Sequence, residues 1–259
     1  MKGVLYYFSG TGNTKWVADK LKDVFVRYDI QLDIKSIEEE KKADISGYSF
    51  LVIGTPVYAE IEPKIVEDFV GTIHESEART RCIVYSTQGG ARGSAVKRIS
   101  TELEKKGYDV ACEAMVEMPN NFYFYLGKEP SDKKIYKVLI AAERKIRKLA
   151  RDFSKDKDQE AKTSALRKNI GSFVGKNFRK TIPKFSKNLI ASDACIKCGL
   201  CLRNCPKGNI TFEEGQAIIH SNCILCLRCI HLCPENAILY KGKRINQTQK
   251  EIITHLDLK

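Results

Sequence analysis

The chain has 259 residues, of which 43 % are hydrophobic and 29 % are charged, a composition typical of globular proteins. That length is enough for two domains. No run approaches the roughly 18 apolar residues that a membrane-spanning helix requires. The first apolar stretch, residues 1–8, is too short for the core of a signal peptide, so we expect a cytoplasmic protein.

The formal net charge of +12 is unevenly distributed along the chain. Residues 131–188 carry 18 basic and 6 acidic side chains, whereas residues 1–130 carry 17 basic and 20 acidic ones. Such a basic excess can indicate nucleic acid or an anionic surface as a partner. Because the sequence contains no nucleic-acid-binding motif, we expect no nucleic-acid partner. Because it has no membrane-spanning apolar run, we expect no integral membrane association.

The first 150 residues alternate between apolar strand patterns and amphipathic helix patterns. Strands are predicted at residues 2–8, 30–37, 48–53, 81–85 and 110–116. A long amphipathic helix is predicted to begin near Ile135. This alternation predicts an α/β fold, a doubly wound parallel sheet of five strands. In such sheets, ligands bind beyond the carboxyl ends of the strands.

The loop after the first strand is rich in glycines and small polar residues. It consists of Ser9, Gly10, Thr11, Gly12, Asn13 and Thr14. Glycines let backbone N–H groups approach a ligand, and the helix that follows adds free N–H groups at its N-terminus. The loop therefore predicts a phosphate cradle without Lys or Arg. A dinucleotide-binding loop is a weaker alternative, because Lys15 replaces the third glycine of that motif; a helix cap without ligand is another.

Three loops in this half together resemble those of flavodoxins, and the resemblance covers about residues 1–150. The first loop is similar to the family's FMN-phosphate loop. The second loop comprises Thr55, Pro56, Val57, Tyr58 and Ala59, and the third comprises Ser86, Thr87, Gln88, Gly89, Gly90 and Gly93. The resemblance implies that both loops contact FMN, with Tyr58 stacked on the flavin. An exposed loop tyrosine is the alternative for Tyr58.

The stretch after the fifth strand contains Asn120 and Phe122 and has two interpretations. These residues line the edge of the flavin site, or they only cover the end of the sheet. We include both among the candidate FMN-binding residues.

The second half contains an internal repeat with an offset of 28 residues. Its members are Cys195, Cys198, Cys201 and Cys205, repeated as Cys223, Cys226, Cys229 and Cys233, with a proline after the last cysteine of each unit. Over about residues 185–240 this spacing resembles bacterial ferredoxins that hold two [4Fe–4S] clusters. Two zinc ions are the alternative, but zinc sites favour paired C-x-x-C hooks.

In the ferredoxin pattern, three closely spaced cysteines bind one cluster and the cysteine before proline in the other unit completes it. Cluster one is therefore assigned to Cys195, Cys198, Cys201 and Cys233. Cluster two is assigned to Cys205, Cys223, Cys226 and Cys229.

The predicted domains are an FMN-binding domain at 1–154, a basic helical linker at 155–184 and a ferredoxin domain at 185–259. A C-terminal helix is predicted from the capping box formed by Thr248 and Glu251.

One face of the predicted linker helix is apolar. It carries Leu166, Ile170, Phe173, Val174 and Phe178. We interpret this face as the surface that packs the two domains together. The alternative is a basic docking face for an acidic redox partner.

The whole chain resembles flavodoxin–ferredoxin fusion proteins. The resemblance implies an electron-transfer protein that connects two [4Fe–4S] clusters with FMN and links one-electron and two-electron redox partner proteins. Since the cofactors carry the chemistry, no catalytic side chain is expected. An FMN-dependent reductase of an organic substrate is one alternative, and a redox-sensing or nucleic-acid-binding module is another. The sequence leaves open whether flavin and clusters meet within one chain or across a homodimer.

Overall fold

The computed structural model describes residues 1–90, 93–125, 127–161 and 163–259. Five strands form the larger sheet: β1 (Lys2–Tyr7), β2 (Gln31–Ser36), β3 (Phe50–Pro56), β4 (Arg81–Gln88) and β5 (Asp109–Glu117). Their order is β2-β1-β3-β4-β5, and each neighbouring pair is parallel. The predicted doubly wound sheet is confirmed. The strand order reverses between β1 and β3, where a crevice for ligands is expected.

Helices cover both faces of this sheet. They are α1 (Asn13–Phe25), α2 (Lys64–Gly71), α3 (Ala95–Lys105) and α4 (Asp132–Ser154). Residues of α1 and α4 enter one core and residues of α2 and α3 enter the other. Neighbouring β1 residues alternate between the cores, with Leu5 in the first and Tyr6 in the second. Burial on both faces explains why β1 and β3 are almost continuously apolar.

The linker forms α5 (Ala165–Ser186), but its apolar face does not pack as expected. Leu166 and Phe173 are 71 % and 72 % exposed, so the prediction was wrong for the first part of this face, whereas Phe178 at its end contacts Phe122 with ring centroids 6.3 Å apart. The opposite side of α5 contacts the first domain through its glycines. A Cβ atom at Gly175 would lie 2.5 Å from Cγ1 of Ile61, so only glycine permits this approach.

Ion pairs hold the same side of α5 to the first domain. Arg167 Nη2 lies 2.6 Å from Glu60 Oε2, and Arg179 Nη1 lies 2.5 Å from Glu67 Oε2. Two of the basic side chains on the predicted docking face therefore form ion pairs within the chain.

The remaining elements are short and belong to the cysteine-rich half. They are β6 (Leu189–Ala191), α6 (Leu200–Arg203), β7 (Ile210–Glu213), β8 (Gln216–Ile219), α7 (Arg228–Leu232), β9 (Ile238–Tyr240) and β10 (Lys243–Arg244). Each cysteine loop leads into a short helix and then a strand. The two equivalent strands have different partners, since β7 pairs with β8 while β9 lies between β6 and β10.

The C-terminal segment does not form the predicted helix. Residues Ile252–His255 form a single 3-10 turn, and Thr248 Oγ1 is buried without a hydrogen-bond partner among the described residues. The tail packs instead on the first domain, where Gln249 donates to the carbonyl of Pro119 at 3.2 Å. Tertiary contact, rather than local capping, therefore determines the conformation of this segment.

Within the described ranges, every helix is too short or too polar to cross a bilayer. The boundaries 1–154, 155–184 and 185–259 stay a prediction.

Candidate functional site

The three predicted loops meet around one cavity of about 310 Å³ beyond the carboxyl ends of β1, β3 and β4. The predicted residues that line it are Ser9, Gly10, Thr11, Asn13, Thr14, Pro56, Val57, Tyr58, Ala59, Thr87, Gln88, Gly89, Asn120 and Phe122. The stretch after β5 thus reaches the cavity, and Phe122 also packs against Phe185 with ring centroids 5.4 Å apart.

The other predicted residues are not part of the cavity wall. They are Gly12, Thr55, Ser86, Gly90 and Gly93. Several of them hold the side chain of Gln88, which does reach the cavity. Ser86 Oγ donates to Gln88 Oε1 at 2.9 Å, and Gln88 Nε2 donates to the carbonyl of Gly90 at 2.9 Å.

Sequence reasoning missed part of the cavity wall. The additional residues are Tyr125, Val174, Phe178, Leu225 and Leu227, and also Pro119 and Asn121, which belong to the stretch after β5 already singled out in the sequence. Val174 and Phe178 belong to α5, and Leu225 and Leu227 belong to the second cysteine loop. No local motif marks the positions in α5 and in the second cysteine loop, because they reach the cavity only through the docking of distant segments.

Hydrogen bonds hold the first loop against its neighbours. The Thr14 N–H donates to Ser9 Oγ at 3.2 Å, and Thr14 Oγ1 lies 2.8 Å from Thr87 Oγ1. Asn121 Nδ2 donates to Thr11 Oγ1 at 2.6 Å. The loop after β1 is therefore fixed to the end of β4 and to the segment that follows β5.

The same loop fits a phosphate group. Gly10, Thr11 and Gly12 are buried, and among the described residues no protein group accepts their backbone N–H groups. Asn13 Oδ1 is also buried without a partner. Buried N–H groups are costly unless a ligand accepts them, and N–H groups clustered at a helix start suit an anion. The free Asn13 oxygen suits a ligand hydroxyl.

Three of the eight clustered thiols lie around a fourth, that of Cys201. Burial raises the pKa of the Cys201 thiol, and the neighbouring Cys195, Cys233 and Cys198 raise it further. The structure therefore groups these four residues.

The other four thiols form a second group. Burial raises the pKa of the Cys226 thiol to about 12, with further contributions from Cys223 and Cys205. These three residues, together with Cys201 of the first group, also raise the pKa of Cys229, after burial as the main cause. The two groups are therefore adjacent.

The cysteine loops fit iron–sulfur clusters. Backbone N–H groups of Asn209 and Ala237 donate to Cys205 Sγ and Cys233 Sγ at 3.3 and 3.2 Å, and such bonds tune cluster potentials. Nowhere in the described ranges do three His, Cys, Asp or Glu side chains converge closely enough for a single metal ion.

The cavity and the second cysteine group are in direct contact within one chain. A Cβ atom at Gly10 would lie 2.5 Å from the carbonyl oxygen of Cys226 and 2.7 Å from the hydroxyl of Tyr58. Burial raises the pKa of Tyr58 well above 10, and the charge of Cys226 raises it further. The first loop, Tyr58 and Cys226 thus form one contact region.

Known proteins resemble the two halves separately. A family model for a flavodoxin domain matches residues 4–123, and one for a 4Fe-4S dicluster domain matches residues 194–237. A flavodoxin from Maridesulfovibrio salexigens is 29 % identical over 70 residues, or 27 % of this chain. That match spans 48 % of the flavodoxin's own length, about half of it.

Solved structures similar to the chain include two flavodoxins. One, from the domain Archaea, is 16 % identical with a TM-score of 0.41, covering 59 % of this chain and 98 % of its own. The other, oxidised Flavodoxin 2 from Bacillus cereus, is 17 % identical with a TM-score of 0.45, covering 60 % and 99 %.

The matched domains define the cofactors in general terms. A flavodoxin domain implies FMN, and a dicluster domain implies 4Fe–4S clusters, which together imply electron transfer. The domain content of the chain, a flavodoxin domain followed by a 4Fe–4S dicluster domain, is that of a flavodoxin–ferredoxin fusion.

Proposed function

We propose that the protein passes electrons between two [4Fe–4S] clusters and FMN, and so links one-electron with two-electron redox partner proteins. One observation carries this proposal: the candidate flavin cavity is partly built from the second cysteine loop. Leu225 and Leu227 line the cavity, and Cys226 contacts Gly10 of the first loop. A single chain is therefore sufficient to bring the two sites together.

In this proposal the first loop binds the phosphate of FMN. The N–H groups of Gly10 and Thr11, which line the cavity, are its donors, and the hydroxyl of Thr14 supports them. Tyr58 and the two cavity leucines provide apolar contact area for a flavin ring.

The eight thiolates would hold the two clusters in the groups described above. Bound FMN exchanges one or two electrons and each cluster exchanges one, so the cofactors supply the chemistry. The cluster held by Cys226 would lie on the side of the flavin. Cys198 and the neighbouring Ile196 are exposed, Ile196 by 60 %, so cluster one would lie on the side accessible to a partner protein.

The composition of the cavity favours a carrier over a reductase of an organic substrate. Among the described residues that line it, none is Asp, Glu, His, Lys or Cys. No side chain of near-neutral pKa is thus placed to transfer a proton to a substrate there.

Exposed lysines on α5 favour an acidic redox partner. Lys176, Lys180 and Lys184 are exposed on the helix whose Val174 and Phe178 form part of the cavity wall. Charge complementarity of this kind mainly accelerates association, so reduction by such a partner should slow as ionic strength rises.

Anaerobic purification with an absorption spectrum and counts of iron, sulfide and flavin tests the proposal. We expect about eight iron atoms, about eight sulfides and about one FMN per chain. Zinc in place of iron, or protein that neither retains nor rebinds FMN, would contradict it.

A further inference from the structure

A buried arginine of the ferredoxin domain contacts the candidate phosphate loop. Arg228 lies in the second cysteine loop, and only 6 % of its surface is exposed. It donates to the carbonyl oxygens of Ser9 at 2.8 Å, Gly10 at 3.1 Å and Asn204 at 3.0 Å. Ser9 and Gly10 belong to the first domain, so a single guanidinium connects the two domains at this loop.

Glu38 neutralises this arginine. Its carboxylate accepts from Nη1 at 2.8 Å and from Nη2 at 2.5 Å, a bidentate pair. With these two bonds, all five N–H donors of the guanidinium are used. Because the pair is neutral as a whole, we attribute the effect of Arg228 on the loop to orientation rather than to added positive charge.

Because of the geometry of the peptide bond, these contacts also determine where the N–H groups of the loop point. In a trans peptide, the C=O and the following N–H point in opposite directions. Holding the carbonyls of Ser9 and Gly10 on Arg228 therefore turns the N–H groups of Gly10 and Thr11 away from the arginine. These are two of the buried N–H groups that no described protein group accepts.

We propose that Arg228 is a positioning residue for the phosphate-binding loop, which directs the N–H groups of Gly10 and Thr11 toward the phosphate of FMN. The inference rests on the proposed function of the cavity as an FMN site. It makes phosphate recognition by the first domain depend on the docking of the second cysteine loop.

Comparing FMN with riboflavin, which lacks the phosphate, isolates this role. The full-length protein, with its clusters retained and its flavin removed, is titrated anaerobically with each ligand while flavin fluorescence is followed. Wild-type protein that binds FMN no more tightly than riboflavin would overturn the proposed phosphate site, and with it the role of Arg228.

Arg228→Lys keeps the charge but loses the planar fork. We expect its affinity for FMN to fall about tenfold or more, the size of one lost charge-assisted hydrogen bond, while its affinity for riboflavin changes less than about threefold. Equal losses for both ligands, or no loss, would overturn the positioning role. Arg203→Lys is the matched control, because Arg203 donates to the carbonyl of Cys198 in the other cysteine group, at 3.1 Å.

A second variant tests the proposal if the Arg228→Lys protein does not retain its iron. The double variant Glu38→Gln, Arg228→Met removes the whole ion pair, which a buried site tolerates better than a single unpaired charge. We expect the double variant to lose affinity for FMN to the same extent, with little change in its affinity for riboflavin. A double variant that retains the wild-type preference for FMN over riboflavin would overturn the proposal.

Discussion

The ring of Phe185 stacks on the ring of Tyr240, with centroids 4.4 Å apart and planes at 15°. Phe185 lies near the end of α5 and Tyr240 in β9, so the contact attaches the linker helix to the ferredoxin domain. Phe185 is 7 % exposed and also belongs to the core that contains Ile230 and Ile238.

Truncating Phe185 should therefore destabilise the ferredoxin domain. Phe185→Ala is expected to lower the free energy of unfolding by about 3–5 kcal/mol, as for other buried phenylalanines. Anaerobic denaturant unfolding measures the change. Phe173→Ala on the same helix is the control, since Phe173 is 72 % exposed and should change stability by less than about 0.5 kcal/mol. Similar effects of the two variants would contradict the packing described.

Adding one methyl group at Gly10 should disturb both sites together. A Cβ atom there would lie 2.5 Å from the Cys226 carbonyl, so one of the two loops has to move. Gly10→Ala is expected to destabilise the protein by about 1–3 kcal/mol and to weaken FMN binding. Unfolding and flavin titration measure the two effects.

Gly71→Ala provides the control for Gly10→Ala. A Cβ atom at Gly71, the last residue of α2, would have no neighbour within 4 Å. Its stability and FMN affinity should match those of the wild type within about 0.5 kcal/mol. A Gly10→Ala protein that behaves like this control would show that the loops are not in close contact.

Removing one thiol from each cysteine group should separate their roles. Cys198→Ala and Cys226→Ala are each expected to reduce the iron content from about eight to about four atoms per chain. Only Cys226→Ala should also weaken FMN binding, because losing this ligand loosens the loop whose Cys226 carbonyl lies against Gly10, whereas Cys198 is exposed. Iron assays and flavin titration measure both effects.

Cys112→Ala is the control, since Cys112 is fully buried in the first domain and should leave the iron content unchanged. A Cys198→Ala protein with its full iron content would refute the assignment of Cys198 as a cluster ligand.

The attachment of α5 to α2 should weaken in acid. Burial by itself raises the pKa of Glu67, but the hydrogen bond and the charge of Arg179 outweigh it, so the pKa lies below its ordinary value. Near pH 4 the unfolded chain therefore binds more protons on this carboxyl than the folded one. The stabilisation is complete above the unfolded pKa of about 4.3 and is lost as the pH falls through the lower folded pKa.

The Glu67→Gln variant tests this direction of the pH dependence of stability. The stability difference between wild type and Glu67→Gln should be largest above about pH 5 and should shrink toward about pH 3. Unfolding free energies measured across this range check it, with Glu75→Gln at an exposed position as the control. A difference that stays constant with pH would show that the pair of Glu67 and Arg179 does not contribute.

Local patterns in the sequence predicted the sheet, the loops around the cavity and the repeat of cysteines. These features depend on short-range information, because hydrophobic period and motif spacing are set by residues within one element. Because these patterns are local, they also explain the two wrong predictions, for the apolar face of α5 and for the C-terminal helix. The apolar residues of α5 have helical spacing whether they face a core or solvent, and the capping box at Thr248 has the right spacing but was overridden by contacts with the first domain.

Only the tertiary structure decided how the two halves meet. Arg228 and Ser9 are 219 positions apart, and nothing in either local sequence indicates that a guanidinium of one reaches the carbonyl of the other. Leu225 and Leu227 join the cavity wall for the same reason. The sequence alone thus identifies the residue types at the two sites. The contact between the sites depends on the docking of folded surfaces, and no local sequence pattern encodes that docking.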